Sequence, residues 1–319
     1  MSNNSHTVVS LDDVRAAAER LDGVAVRTTL LTSEPLSELA GVPVYLKLEN
    51  EQPTGAFKLR GAWNFVSRIT AENRRLGVIT YSSGNHGQAV AFAAKRLGLR
   101  AIVVMPETAP KLKIDRIQSW GGEVVFAGVT SASRRERALE LAEFHGYNVV
   151  PPFDDPDIIA GQGTVGLEIV EQLPEVSHIA VPVGGGGLLA GVTVAASALL
   201  PDVDITGVEP EGSAALRIAL REGQVTKLSE TNSVADGLLP LAIGELPFRH
   251  VYKKVNSVVV KDDTIISTMR WLLEHHNILA EPSGAVTSGA LRGGVLDLSG
   301  PTVLIVSGGN VEPDAMRIS

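Results

Sequence analysis

The sequence predicts an α/β protein of two lobes, each an open, mostly parallel twisted sheet covered by helices. Short β-branched runs recur along the chain, and the stretches between them carry apolar residues at helical spacing. Most of the runs are continuously apolar rather than alternating, as strands buried on both faces are. The turn-rich stretch Pro151-Pro-Phe-Asp-Asp-Pro-Asp157 breaks the pattern near the middle and suggests two lobes with a cleft, where ligands of open α/β sheets bind.

The expected strands are, in order, Val44–Leu48, Gly77–Tyr81, Ala101–Met105, Glu123–Phe126, Ile179–Val183, Asp204–Val208 and Thr302–Val306. Helical spacing marks His86–Leu97, Ser133–Phe144, Leu188–Leu200 and Thr264–His276, and a further helix starts beside Arg60. The run from Ile179 to Leu200 is uncharged and long enough to span a bilayer. Pro182 and four successive glycines split it, so it reads as a strand and a helix buried in protein. No membrane span is expected, and the polar N-terminus shows no secretory signal. A cytoplasmic location is the default.

At 319 residues and 44% hydrophobic content the chain can bury sizeable cores. A net charge of −8 argues against nucleic acid, which needs a basic stripe. The densest basic cluster, Arg134-Arg135-Glu136-Arg137, is interrupted by acid and reads as a solvated helix face. The absence of cysteine excludes disulfides, thiolate metal sites and thiol nucleophiles. Seven histidines form no metal motif; His275 and His276 are adjacent and diverge on a helix.

The residues that carry chemistry lie in Thr54-Gly-Ala-Phe-Lys-Leu-Arg-Gly61 and in three glycine-bearing turns. Alone, Lys58 reads as a solvated lysine at a helix start. Four glycines in a row, Gly184 to Gly187, weaken any regular element, and a strand running through them into a helix aims backbone N–H groups at an anion. No lysine follows to make a nucleotide P-loop. Gly185-x-Gly187-x-x-Ala190 fits the dinucleotide fingerprint, with Glu209 about twenty residues on. Ser82-Ser-Gly-Asn-His-Gly-Gln88 opens a second helix and is suited to a carboxylate or to ordinary capping. Ser307-Gly-Gly-Asn310 presents one hydroxyl at the end of an apolar strand.

In this order the segments resemble the fold-type II pyridoxal-phosphate (PLP) enzymes of the serine/threonine dehydratase and serine racemase group. Ile159-Ala-Gly-Gln-Gly-Thr164, Ala235-Asp-Gly237 and Glu281-Pro-Ser-Gly284 add to the resemblance, which covers nearly the whole chain. It implies that PLP sits in the cleft, held by Lys58 as a Schiff base, with Phe57 packed by the ring and Asn85 on the 3′-oxygen. Gly184, Gly185, Gly186 and Gly187 would cradle the phosphate and Ser307 would face the pyridine nitrogen. A neutral hydroxyl there need not protonate the ring, which favours elimination over transamination. Lys58 would then be the base at the substrate Cα. Ser82, Ser83, Gly84, Asn85 and His86 would hold the substrate carboxylate, with Arg134 a further contact, and Ser83 would be a second acid/base on the opposite ring face. The same resemblance divides the chain into a large cofactor-binding domain, 1–52 with 148–319, and a small mobile domain, 53–147, and suggests a homodimer.

The expected function is therefore elimination of water from a β-hydroxy amino acid such as L-threonine or L-serine, giving a 2-oxo acid and ammonia. An amino-acid racemase is the alternative within the group, and an NAD-binding oxidoreductase the alternative outside it. Two positions depart from the group's pattern. Ala56 stands where Ser is common, and Glu209 is followed six residues later by Ala215 rather than Asp, which removes one ligand from the divalent-cation site of some members. No metal is expected.

Overall fold

The computed structural model describes residues 8–82, 84–109 and 111–312. The chain begins with α1 (Leu11–Leu21), β1 (Leu30–Thr32), α2 (Glu34–Ala40) and β2 (Val44–Leu48). It continues through α3 (Lys58–Ser67), α4 (Ala71–Arg74), β3 (Val78–Tyr81), α5 (Asn85–Leu97), β4 (Ala101–Met105), α6 (Lys111–Ser119), β5 (Glu123–Phe126), α7 (Ser131–His145) and β6 (Asn148–Val149). The remainder comprises α8 (Pro156–Gln172), β7 (His178–Pro182), α9 (Gly187–Leu199), β8 (Asp204–Pro210), α10 (Ala215–Glu222), α11 (Glu245–Val251), β9 (Asn256–Val260), α12 (Asp262–His276), α13 (Pro282–Arg292) and β10 (Thr302–Val306).

Two sheets result. One has the order β1-β2-β10-β7-β8-β9 and the other β5-β4-β3-β6; every pairing is parallel except β1 with β2. Each sheet is buried on both faces, as the apolar runs predict. On β10, Val303 and Ile305 join the core beneath α1, α8 and α9, whereas Leu304 and Val306 join the core beneath α2, α12 and α13. On β3 and β4, Val78, Val103 and Met105 pack toward α3 and α5, while Ile79, Ile102 and Val104 meet α7.

The seven expected strands are all present, and the segment 179–200 divides into β7 and α9 as its proline and glycines require. Among the described residues no helix is long and apolar enough to cross a membrane. The sequence reading omits β1, β6 and β9, of three, two and five residues, each at the edge of a sheet. Edge strands bury one flank only and carry a weaker apolar signature.

Helix α8 was also unforeseen, because Gly161, Gly163 and Gly166 weaken it as an isolated helix. Packing explains them. A Cβ on Gly161 would stand 2.6 Å from the Cα of Gly61 on α3, and one on Gly163 would stand 2.9 Å from the carbonyl oxygen of Gly191 on α9. The glycines let three helices touch backbone to backbone, which sets α3 and the start of α9 on a common frame. Lys58 and the four-glycine turn are thereby placed through α8.

Candidate active site

Lys58 opens α3, and the loop before it is pinned to the turn after β10. Phe57 N donates to Ser307 O (3.1 Å), Gly309 N donates to Gly55 O (2.9 Å), and Ala56 pairs with Gly308 as an antiparallel bridge. Gly55 is required here, since its φ is 72° and a Cβ would stand 2.4 Å from Asn310 Oδ1. These contacts bring the lysine and the Ser307 turn, remote in sequence, to one place.

The amine is not solvated. Lys58 Nζ donates to Pro152 O at 2.7 Å and lies 5.1 Å from the centre of the Phe57 ring. No carboxylate offsets its burial, which lowers its pKa to about 8. About a tenth of such an amine is neutral at pH 7, against about one in a few thousand for an ordinary lysine. The neutral form is the nucleophile, so the rate at which cofactor-free protein captures an aldehyde cofactor should rise with pH and level off above about 8. Following the visible absorbance after mixing tests this; a rate still climbing steeply at pH 10 would contradict it.

His86 stands near this amine, held neutral by burial and by the Lys58 charge, with its pKa pushed down to about 3. Its Nε2 meets Val150 O at 3.2 Å. Its Nδ1 and Thr54 Oγ1 are buried and have no partner among the described residues.

Most helix starts outside the site are held by side chains, α12 being an exception. Ser10, Ser33, Thr130 and Asp155 cap α1, α2, α7 and α8, and Glu209 and Asp154 accept the first N–H groups of α10 and α11. Helices α5 and α9, which follow the carboxyl ends of β3 and β7, have glycine at the cap and no side-chain cap. Among the described residues the amides of Gly184 to Gly187 donate to no protein acceptor. This is the condition for an anion site at the start of α9.

The glycines themselves have a second reason. A Cβ on Gly185 would overlap the Phe153 ring, at 2.2 Å, and one on Gly186, at φ 88°, would meet Ile243 at 2.7 Å. Gly184 is less tight, a Cβ there standing 3.1 Å from Gly237 O and from the Cα of Leu238. The missing side chains therefore admit protein walls on the outer side of the turn and leave its amides for a ligand.

The other expected residues are distributed unevenly. Ser307 is buried and its Oγ donates to Ser283 O at 3.2 Å, a bond it must release to donate elsewhere. Ser82 Oγ accepts from Gly84 N, so that amide is engaged. Asn85 is committed at both ends of its carboxamide, to Asn310 and Glu281, and keeps one amide hydrogen. Ser83 lies outside the described residues. The basic cluster is solvated at Arg135, Glu136 and Arg137, but Arg134 is buried and bonds Ser131 Oγ and Val129 O at the start of α7, with Nε unpartnered among the described residues. No hydrogen bond joins it to the Lys58 cluster among those residues.

Sequence reasoning passed over Pro152, Phe153, Lys113, Asp236, Glu281 and Asn310 as site residues. The signal is partly there: 152 and 153 sit in the proline-rich break, and Asp236, Glu281 and Asn310 lie in the motifs 235–237, 281–284 and 307–310. Lys113 of α6 forms an ion pair with Asp236, and Arg116 donates to Asn310 Oδ1 at 2.6 Å, so α6 of the four-stranded unit reaches across to the other sheet.

A buried amine of lowered pKa, an uncapped glycine turn and a hydroxyl at a strand end fit an aldehyde cofactor that carries a phosphate and a ring nitrogen. The family model described as pyridoxal-phosphate dependent enzyme matches residues 21–308. The chain belongs to that family, and its cofactor is pyridoxal 5′-phosphate. It is 41% identical over 307 residues to an L-threonine ammonia-lyase of Thermotoga maritima, covering 96% of this chain and 76% of that protein. It is 38% identical to the catabolic L-threonine dehydratase TdcB of Escherichia coli K12, covering 98% of this chain and 95% of that one. Among solved structures, maize serine racemase superposes with a TM-score of 0.94 at 34% identity, covering 98% of this chain and 96% of that one. The dinucleotide reading fails on its acidic residue as well, because both carboxylate oxygens of Glu209 accept N–H groups of α10.

Proposed function

We propose that the protein is a PLP-dependent ammonia-lyase that removes water from a β-hydroxy amino acid such as L-threonine or L-serine, releasing a 2-oxo acid and ammonia. The observation that carries it is the Lys58 amine, buried without a counter-charge and joined through its loop to the Ser307 turn. Relatives that act on threonine support the substrate class.

The residues present divide the work. Lys58 would hold the cofactor's carbonyl carbon, the Gly184–Gly187 amides its phosphate, Asn85 its 3′-oxygen and Ser307 its ring nitrogen, with Phe57 beside the ring. When bound, the cofactor supplies the electron sink that acidifies the substrate Cα–H bond. Lys58, once its amine is free beside the substrate, would take the Cα proton; its lowered pKa keeps a useful fraction neutral near pH 8. The β-hydroxyl departs as water once protonated, and hydrolysis of the resulting dehydro amino acid yields the 2-oxo acid and ammonia. The substrate carboxylate is received by Ser82, Ser83, Gly84, Asn85 and His86 in this reading; of their amides, Gly84 N must release Ser82 Oγ to serve it, and the first turn of α5, from Asn85 on, has no side-chain cap. Arg134 remains a candidate contact through its unpartnered Nε.

Of the small domain expected at 53–147, α3 is packed on α8, and β6 (Asn148–Val149), just beyond it, pairs with β3; the unit that moves in this reading is the four-stranded sheet with its helices, with α6 as the element that closes on Asp236 and Asn310. A homodimer belongs to the same reading and rests on the resemblance. Assaying threonine, serine and 3-hydroxyaspartate for 2-oxo acid and ammonia tests the function. Release from at least one is expected. Interconversion of enantiomers with no 2-oxo acid would favour the racemase reading, which the likeness to serine racemase keeps in view.

The reaction is expected to need no divalent cation. Glu209 Oε1 accepts from Leu216 N (2.7 Å), and Oε2 accepts from Arg217 N (2.9 Å) and Ser257 Oγ (3.2 Å), so both oxygens serve the start of α10. Burial pushes this carboxyl up to about 7. Ala215 offers no side-chain ligand. Dialysis against EDTA should leave both rate and melting temperature unchanged; a loss restored by magnesium would contradict this.

A further inference from the structure

The hydrogen bonds around Asn85 can be assigned from chemistry alone. Arg116 only donates, so the atom of Asn310 facing it at 2.6 Å is the oxygen. The carbonyl of Thr54 only accepts, so the atom of Asn310 facing it at 2.9 Å is the amide nitrogen. That nitrogen also meets Asn85 at 2.8 Å, which makes the Asn85 atom there its oxygen. The Asn85 amide nitrogen is therefore turned to Glu281 Oε1, 2.5 Å away.

Glu281 is placed for this contact and for nothing else in its own helix. It stands before Pro282 at the start of α13, yet its side chain caps no N–H of that helix. Its backbone N–H donates to Gly308 O at 3.0 Å, and its carboxyl, 4% exposed, packs against Gly308 beside the Lys58 loop.

On the reading that Asn85 faces the cofactor's 3′-oxygen, we infer that Glu281 is a positioning residue. By accepting one amide hydrogen it fixes Asn85 as a donor toward that oxygen, and its own ionisation sets how strongly the second hydrogen is donated. Donating one hydrogen to an ionised carboxylate raises the electron density on the amide nitrogen and weakens its remaining N–H as a donor; a protonated carboxyl, a poorer acceptor, does so less. The charged groups that face Glu281 come from both sheets. Burial raises its pKa to about 7, with Asp236 adding to the rise, while Asn85 and the cations Lys113 and Arg116 of α6 lower it. Its proton thus changes hands within the working range of pH.

The test is the absorption spectrum of the holoenzyme titrated from acid to alkaline pH, without substrate. The wild type should show a change in its visible band with a midpoint near 7. Glu281→Gln keeps an acceptor for Asn85 but cannot ionise, and the midpoint should vanish; Glu281→Asp should move it. Asn85→Ala should abolish the midpoint and weaken cofactor retention about ten-fold, the loss of one hydrogen bond. A midpoint that persists unmoved in Glu281→Gln, with Asn85→Ala behaving as expected, overturns the role of Glu281 alone. Unchanged cofactor retention and spectrum in Asn85→Ala overturn the reading of Asn85, and this inference with it.

Discussion

Replacing Lys58 by alanine is expected to lower kcat by about 10³-fold or more, the loss of a positioned base together with the cofactor's covalent anchor. The visible band of the holoenzyme should vanish with it. The cofactor-free variant should be no less stable at neutral pH than the cofactor-free wild type. The folded protein holds this amine with a pKa near 8, against the ordinary 10.5, so between those values the unfolded state binds more protons. Stability from this group therefore rises with pH across that window, and below it a protonated Lys58 is a cost that alanine removes. An alanine variant that melts well below the wild type at pH 7 with both cofactor-free, or one that keeps its activity, would contradict this role.

The second large effect concerns Arg60, two residues on and 1% exposed. Its guanidinium grips Glu49 through Nε and Nη2, both at 2.8 Å, and Glu168 through Nη1 at 2.7 Å and Nη2 at 3.0 Å. Lys47 Nζ donates to the same Glu168 at 2.6 Å. Two cations and two anions thus balance in a buried cluster that ties the residues following β2, the first turn of α3 and helix α8. Burial alone would raise the Glu49 pKa; Arg60 and Lys47 outweigh it and hold it below the usual range. Arg60→Met leaves Glu49 buried and unpaired, and is expected to cost about 3–5 kcal/mol. The melting temperature should fall by about 5–10 °C. Adding Glu49→Gln should recover part of the loss, since the two residues are coupled. Because the folded Glu49 pKa lies below the unfolded one, its contribution is present above pH about 4.5 and disappears on acidification. A single variant that melts like the wild type would remove the cluster from the account.

Arg60 also shows where sequence reading stops. Its motif is legible, but its partners stand 11 and 108 residues away, and no local pattern ties them to it. Lys58, the glycine turn and the Ser307 turn were readable because each is a departure from what a helix or strand tolerates. The β10 and β7 strands were readable because both faces are buried. Helix α8 was missed for the opposite reason: its glycines serve contact with α3 and α9, and such contact has no one-dimensional signature. Glu281 lay within a motif whose chemistry appears only when Asn85, 196 residues away, is folded against it.

The central claim is that Lys58 carries the cofactor and takes the substrate proton. Its most direct test is borohydride reduction of the holoenzyme followed by mapping of the peptide that bears the cofactor's mass. The account predicts the adduct on Lys58, and protection of that residue when a β-hydroxy amino acid is added first. An adduct on any other lysine, or none at all, would contradict it.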